Sequence, residues 1–239
     1  MLAALALTAC ESSQEKSAKL EKVAKREASE ARRRRTVAKQ GLSITRQSTK
    51  VRVSETAVVH SSEGVAAVVT LRNVSATALR DLPIEITVRN ARGGALYTNN
   101  TPGLAAALVS VALLPAHSSA SWIDDQVPAT GIPTSVTAKI GEGAPVTKAI
   151  PRLSIQGTHL ASDATSGPEV EGTVVNHSSV SQRELVVYAV ARRAGRAVAA
   201  GRAVIPEAPA GAAARFQVFF IGSPQGGQLE VSAPPSTVG

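Results

Sequence analysis

Asn73-Val74-Ser75-Ala76-Thr77-Ala78-Leu79-Arg80-Asp81-Leu82-Pro83-Ile84 is answered later in the chain by Asn176-His177-Ser178-Ser179-Val180-Ser181-Gln182-Arg183-Glu184-Leu185-Val186-Val187. A shift of 103 residues places Asn73 on Asn176, Ser75 on Ser178, Arg80 on Arg183, Asp81 on Glu184, Leu82 on Leu185, Ile84 on Val187 and Arg89 on Arg192. Beyond a loop that is shorter in the second copy, Pro115 meets Pro209 and Trp122 meets Phe216 at a shift of 94. The order of turn, asparagine, strand and aromatic is kept. The alternating apolar positions stay in phase, so the same strand face is buried in each copy. Self-similarity at one fixed spacing marks a duplicated unit.

Outward from this pair the chain keeps a β texture, short Val/Ile/Thr-rich runs broken by Gly, Pro, Asn and Ser. Strands are expected at Thr49–Val53, Val65–Asn73, Ile84–Arg89, Ala120–Gln126 and Ser135–Ile140 in a first unit, residues 42–142. A second unit, residues 152–239, is expected to hold Leu153–Gly157, Val170–Asn176, Leu185–Ala191, Ala197–Val204, Ala214–Ile221 and Gln228–Ala233. Gly- and Pro-bearing residues 143–151 read as the linker between them. Each copy spans about 80–95 residues, the size and rhythm of an immunoglobulin-like sandwich, without the Cys…Trp…Cys core of a true immunoglobulin domain. Asn73 and Asn176 fall at strand ends, where Asn side chains stabilise turns. Trp122, Phe216, Phe219 and Tyr188 read as core anchors.

Gly172-Thr173-Val174-Val175-Asn176, Leu185-Val186-Val187-Tyr188-Ala189-Val190, a hairpin at Gly195, Pro209-Ala210-Gly211 and Phe216-Gln217-Val218-Phe219-Phe220 follow one another in the second copy. Over about a third of the chain this order resembles the FxLYD-type sandwich of bacterial envelope proteins. The eponymous Phe-x-Leu-Tyr-Asp is absent, and Ala191-Arg192-Arg193 stands where its Leu-Tyr-Asp would fall. The resemblance implies a fold and no activity.

The first copy carries an insertion, Asn99 to Leu114, that is apolar from Leu104 to Leu114 except for Ser110. At this length it cannot span a bilayer. It is expected to be a packed crossover helix or an extra strand. If it lies on the surface, Leu104, Leu108 and Val111 would mark a partner site.

The N-terminus has a different character. Met1-Leu2-Ala3-Ala4-Leu5-Ala6-Leu7-Thr8-Ala9-Cys10 is an uncharged, mostly apolar run ending in the only cysteine of the 239 residues. An apolar run closed by small residues is the pattern of a secretory signal. Leu7-Thr8-Ala9-Cys10 resembles a bacterial lipobox, which implies diacylglycerol on the Cys10 thiol and Cys10 as the first mature residue. Residues 1–9 then read as a truncated lipoprotein signal peptide, with the start codon expected farther upstream. Residues 11–40 contain none of the 13 prolines and none of the 18 glycines. Ser12 and Glu15 have capping-box spacing, and Gly41 is a natural helix stop. Residues 10–41 are therefore expected to be a lipid anchor followed by a solvated helical stalk, about 45 Å long over 30 residues. This stretch holds ten Lys/Arg and five Glu, or +5 of the net +8. Arg32, Arg33, Arg34 and Arg35 are its densest cluster and suit anionic lipid or wall polymer at about 1 kcal/mol per basic residue. A basic spacer kept soluble by these arginines is the plainer alternative. Nucleic acid is not an expected partner, because the segment has no aromatic residue on which bases could stack.

Composition closes off several chemistries. Hydrophobic residues make up 44%, but 41 residues are alanine, and only Tyr97, Trp122, Tyr188, Phe216, Phe219 and Phe220 are aromatic. A single cysteine excludes intramolecular disulfides and multi-cysteine metal sites. No stretch approaches a membrane-spanning length. His60, His117, His159 and His177 have no ligand-like spacing, and no H-E-x-x-H, C-x-x-C, P-loop or G-x-S-x-G motif occurs. Asp124 and Asp125, adjacent on an expected strand, point to opposite faces, a poor geometry for a carboxylate pair. No catalytic residue, metal or cofactor is expected. The expected protein is mainly β: two tandem immunoglobulin-like β-sandwiches behind a basic α-helical stalk. It is anchored outside the cytoplasm through lipidated Cys10 and works by binding or assembling with an unidentified envelope protein. The alternatives are a wall- or membrane-associated spacer, an enzyme of unrecognised type, and a nucleic-acid binder.

Overall fold

A computed structural model describes residues 41–128, 130–163 and 167–239. The signal-peptide, lipobox and stalk expectations, with Cys10 and Arg32 to Arg35, lie outside the described residues.

The described chain is mainly β and builds antiparallel sheets in a sandwich-like arrangement. The first half contains β1 (Val51–Ser61), β2 (Gly64–Asn73), β3 (Leu79–Arg89), β4 (Ala95–Thr98), β5 (Ser110–Leu114), β6 (Ser119–Asp124), β7 (Ser135–Ile140) and β8 (Ala144–Pro145). The second contains β9 (Leu153–Asp163), β10 (Gly167–Asn176), β11 (Gln182–Arg193), β12 (Arg196–Ala208), β13 (Ala213–Phe219), β14 (Ile221–Gly222) and β15 (Gln228–Ser232). Each half sets a three-stranded sheet, β1-β2-β6 or β9-β10-β13, against a sheet centred on β3 or β11. Each expected strand has a counterpart, but β1 starts two residues later than expected and runs on to Ser61, β6 ends at Asp124 rather than Gln126, and the strand expected over Ala214–Ile221 breaks at Phe220 into β13 and β14. β4, β5 and β8 had no separate expectation. β8 falls within residues 143–151 and pairs with β3 through Leu79–Pro145 and Arg80–Ala144.

Equivalent residues in the two halves do equivalent work. Asn73 is fully buried, and its Nδ2 donates to the carbonyls of Thr77, Leu114 and Pro115 at 2.9, 3.2 and 3.0 Å. Asn176, also fully buried, donates to the carbonyls of Val180 and Ala208 at 2.9 and 3.0 Å. The Oδ1 atoms accept the N–H and hydroxyl of Ser75 and Ser178, respectively. Each side chain closes an Asx turn and ties it to the strand end beside it, which satisfies buried carbonyls where the chain leaves its sheet. Asp81 and Glu184, superimposed by the 103-residue shift, both take left-handed backbone, φ 53° and 49°. Each marks a gap in its strand's ladder, between Arg80 and Leu82 and between Arg183 and Leu185.

The insertion produces the main difference between the halves. β12 pairs with β11 along nearly its whole length, whereas β3 is flanked on that side by β4 and β5 with residues 99–109 looped between them. Asn99, fully buried, fills the gap. Its Oδ1 accepts the Ile86 N–H at 2.7 Å, and its Nδ2 donates to the Ile84 and Leu108 carbonyls at 2.9 and 2.7 Å. One amide side chain thus replaces the ladder bonds that an unbroken strand would have made.

Two stretches are buried without alternation: Val65 to Val69 on β2 and Leu185 to Ala191 on β11. A run buried at consecutive positions is covered on both faces. One apolar cluster accordingly joins first-half residues such as Leu71, Ile84, Ile86 and Trp122 to Val186, Tyr188, Val190, Ala200 and Ile221 of the second half. A second cluster, around Val170, Val174, Leu185, Phe216 and Val218, fills the interior of the second half alone. The β1-β2-β6 sheet therefore lies inside the first cluster, and the β11-β12 sheet separates the two, with Val186, Tyr188 and Val190 facing one and Leu185, Val187 and Ala189 the other.

Candidate functional site

The insertion is exposed at 100–103, 105 and 106, and two of the three residues expected to mark a partner surface are interior. Leu108 and Val111 are 2% and 3% exposed, and Leu104 is half-buried. A short 3-10 turn, Ala106–Leu108, leads into β5, and the Trp122 indole N–H donates to the Ala107 carbonyl at 2.9 Å. Of the two expectations for this stretch, the packed extra strand is what forms. Leu108 and Val111 offer no partner surface because the core already covers them.

The polar groups that converge lie instead at the seam between the halves. Arg192, on β11, has a side chain only 12% exposed. Its Nη1 donates to both Glu55 oxygens at 2.8 Å, its Nε to Glu230 at 3.2 Å, and its Nη2 to the hydroxyls of Thr70 and Ser121 at 3.1 and 3.4 Å. Burial disfavours the guanidinium charge, but the bonds to Glu55 and Glu230 outweigh it and raise the pKa. Arg202, on β12, has a side chain 6% exposed and gives its Nε to Asp125 Oδ1 at 2.8 Å and its backbone N–H to Asp125 Oδ2 at 3.1 Å. At the far side of the seam, Gly222 N–H donates to Ser61 Oγ at 3.1 Å. One step inward, Asp124 is fully buried and accepts the Tyr97 hydroxyl at 3.0 Å and the Gln126 N–H at 2.9 Å. Burial pushes the Asp124 carboxyl above the ordinary aspartate range, against the pull of these two hydrogen bonds. Burial, then the Asp124 charge, raises the Tyr97 phenol.

Asp124 and Asp125 thus point to opposite sides of the sheet, as alternation requires, and each has a structural partner. The Arg192 and Arg202 contacts went unread in the sequence. Their signal was a guanidinium in phase with an apolar stripe: Val186, Tyr188, Val190 and then Arg192 occupy alternate positions of a strand whose other face is also apolar.

Positions related by the repeat shifts differ in polarity at the seam. Ala66, Val68 and Ile123 lie on the β1-β2-β6 face turned to the seam, and the repeat shifts map them onto Glu169, Glu171 and Gln217. Val186, Tyr188 and Val190 lie on the opposing β11 face and map back onto Pro83, Glu85 and Thr87. The faces that meet are apolar. Their counterparts are polar and carry their own pairs, Gln217 with Glu169 at 2.7 Å, His159 with Glu171 at 3.3 Å and Lys139 with Glu85 at 3.1 Å.

Compared with known proteins, the chain matches no family model and no curated protein.

A second concave feature is a cleft of about 360 Å³ between the β3-β5-β8 corner and the segment from Pro235 to Val238. Arg80, Asp81, Thr147, Lys148, Ser236 and Thr237 supply its polar lining. Arg80 is paired with Asp81 at 2.5 Å. Gln182, fully buried, holds the far wall: its Oε1 accepts the N–H groups of Ser236 and Thr237 at 2.9 and 3.0 Å, and its Nε2 donates to the Thr237 carbonyl at 3.2 Å. Among the described residues no group of three or more His, Cys, Asp and Glu gathers into a metal cage, and no helix is long and apolar enough to cross a membrane.

Proposed function

We propose that the chain is a lipid-anchored protein of the bacterial cell envelope, held outside the cytoplasm. In this reading two tandem immunoglobulin-like sandwiches act as one rigid block that binds or assembles with another envelope component, without catalysis. The observation that carries the reading is the seam, where apolar faces and the nearly buried guanidinium groups of Arg192 and Arg202, each paired with carboxylate, lock the halves together while the outward counterparts stay polar. A block of this kind presents fixed surfaces and loops at a distance from its attachment point. The buried polar groups support the non-catalytic part: Asn73, Asn99, Asn176, Gln182 and Asp124 are all engaged in turns, strand ends and sheet contacts. The anchor rests on Leu7-Thr8-Ala9-Cys10, whose diacylglycerol would carry two acyl chains, and the cluster from Arg32 to Arg35 adds electrostatic attraction to an anionic surface.

Cell fractionation with mass spectrometry of the mature N-terminus tests this. The expected result is a diacylglycerol-modified peptide beginning at Cys10, in the membrane fraction, with the Cys10→Ser variant released. An intact Met1 on a soluble protein would overturn the anchor. Retention that survives Cys10→Ser but is lost when Arg32, Arg33, Arg34 and Arg35 become glutamine would favour the polybasic spacer instead.

A further inference from the structure

We propose that the cleft between the β3-β5-β8 corner and the Pro235–Val238 segment is a binding site for a small ligand bearing an oxyanion, a carboxylate or a phosphate group. At about 360 Å³ the space lies at the small end of ligand pockets and suits a ligand of dipeptide size. Two cations, Arg80 and Lys148, line it against one carboxylate, Asp81. That carboxylate engages only one terminal nitrogen of Arg80, which leaves further donors of the guanidinium fork for a second oxyanion.

Ser236 points to the same conclusion independently. Its Oγ is the one buried side-chain polar atom among the described residues that has no hydrogen-bond partner, and Ser236 is part of the cleft wall. That atom is closed off from the empty cleft, and a buried hydroxyl left unpaired costs about 1–3 kcal/mol, so rotation of the Ser236 side chain toward an acceptor held in the cleft is favoured. An oxyanion would accept its proton while lying against Arg80 and Lys148. The wall is held ready for this: Gln182 fixes Ser236 and Thr237 through their backbone groups, which leaves their hydroxyls free to turn toward a ligand. Pro145, Val146 and Pro235 add apolar surface for the body of the ligand.

The test is a titration of the isotope-labelled full chain at constant ionic strength, followed by amide shifts. Inorganic phosphate is one probe, and N-acetyl-dialanine with a free carboxylate is the other, with its C-terminal amide as control. Saturable shifts confined to Thr147, Lys148, Ser236 and Thr237 are expected with at least one oxyanion and not with the amide. The probe that binds distinguishes a phosphate site from a carboxylate site. Arg80→Gln and Lys148→Gln should each weaken binding about ten-fold, as loss of a charge-assisted hydrogen bond does. Ser236→Ala should weaken binding and leave the melting temperature unchanged or raised, because it removes an unpaired hydroxyl. Absence of saturation with both probes at millimolar concentration would overturn the proposal, as would saturation that the three substitutions leave untouched. The result is independent of whether Cys10 carries lipid.

Discussion

Asp124 is the buried acid whose charge state matters most to the fold. Burial raises its pKa, so the native state holds the proton more tightly than the unfolded chain does. The sign follows from linkage: the stabilisation is full below the ordinary aspartate value of 3.8 and is lost as pH rises through the raised native value. An Asp124→Asn variant has no charge to bury, keeps an acceptor for the Gln126 N–H and turns an amide donor toward the Tyr97 oxygen. Urea unfolding from acid to neutral pH should therefore show wild type losing ground steadily against Asp124→Asn as pH rises above 3.8. Parallel stability curves would show that the native carboxyl titrates normally. At the same scale, several residues singled out in the sequence hold the positions assigned to them. Asn73, Asn176, Trp122, Phe216 and Tyr188 are buried, and Asp124 and Asp125 face apart, because strand alternation and turn chemistry are local rules, whereas Phe219, expected as a core anchor, falls on the outer face of β13 and is exposed.

The strand ends are where side chains stand in for backbone. Asn73 faces three carbonyl oxygens with its amide nitrogen, so the nature of its donor matters more than its size. Asn73→Ala should cost about 1–3 kcal/mol by leaving buried groups unpaired. Asn73→Asp should cost more, because it turns a carboxylate toward those carbonyls in a fully buried site. Denaturant midpoints that rank the two variants in the opposite order would mean that the turn rearranges. Asn99 performs a comparable task where residues 99–109 interrupt the partner of β3. Its function was not legible in the sequence. An asparagine beside Thr101-Pro102-Gly103 reads as an ordinary loop residue, and only the register of β4 and β5 on β3 shows which ladder bonds are missing. β8 was likewise invisible, since residues 143–151 have linker composition and Ala144–Pro145 become a strand only because β3 offers a free edge.

For the whole molecule the decisive feature is that one core runs through both halves. The chain from Leu42 to Gly239 forms one compact unit. Separating the halves would expose Val68, Ile123, Val186 and Val190 and strip partners from Arg192 and Arg202. Thermal unfolding should therefore show a single calorimetric transition with matching calorimetric and van't Hoff enthalpies. Arg202→Met should lower stability by about 3 kcal/mol by stranding Asp125, and Asp125→Asn in the same chain should recover part of it. Two resolved transitions in the wild type would mean that the halves unfold independently and that the seam contributes little.

The amino-acid sequence by itself determined the repeated pattern at shifts of 103 and 94, the mainly β character, the phase of each strand and the polar turns that end it. All of these follow from interactions among residues close in the chain or related by these shifts. Tertiary structure alone decided which faces meet. Apolar residues on both sides of β2 and β11 require a second covering layer but do not say which one. The covering layer became legible only when Arg192 and Arg202 were seen against Glu55 and Asp125, carboxylates 137 and 77 residues away. The cleft belongs to the same class: Arg80, Lys148 and Ser236 share no strand and no spacing rule, and they converge because the halves stack and Gln182 holds the C-terminal segment beside the β3 corner.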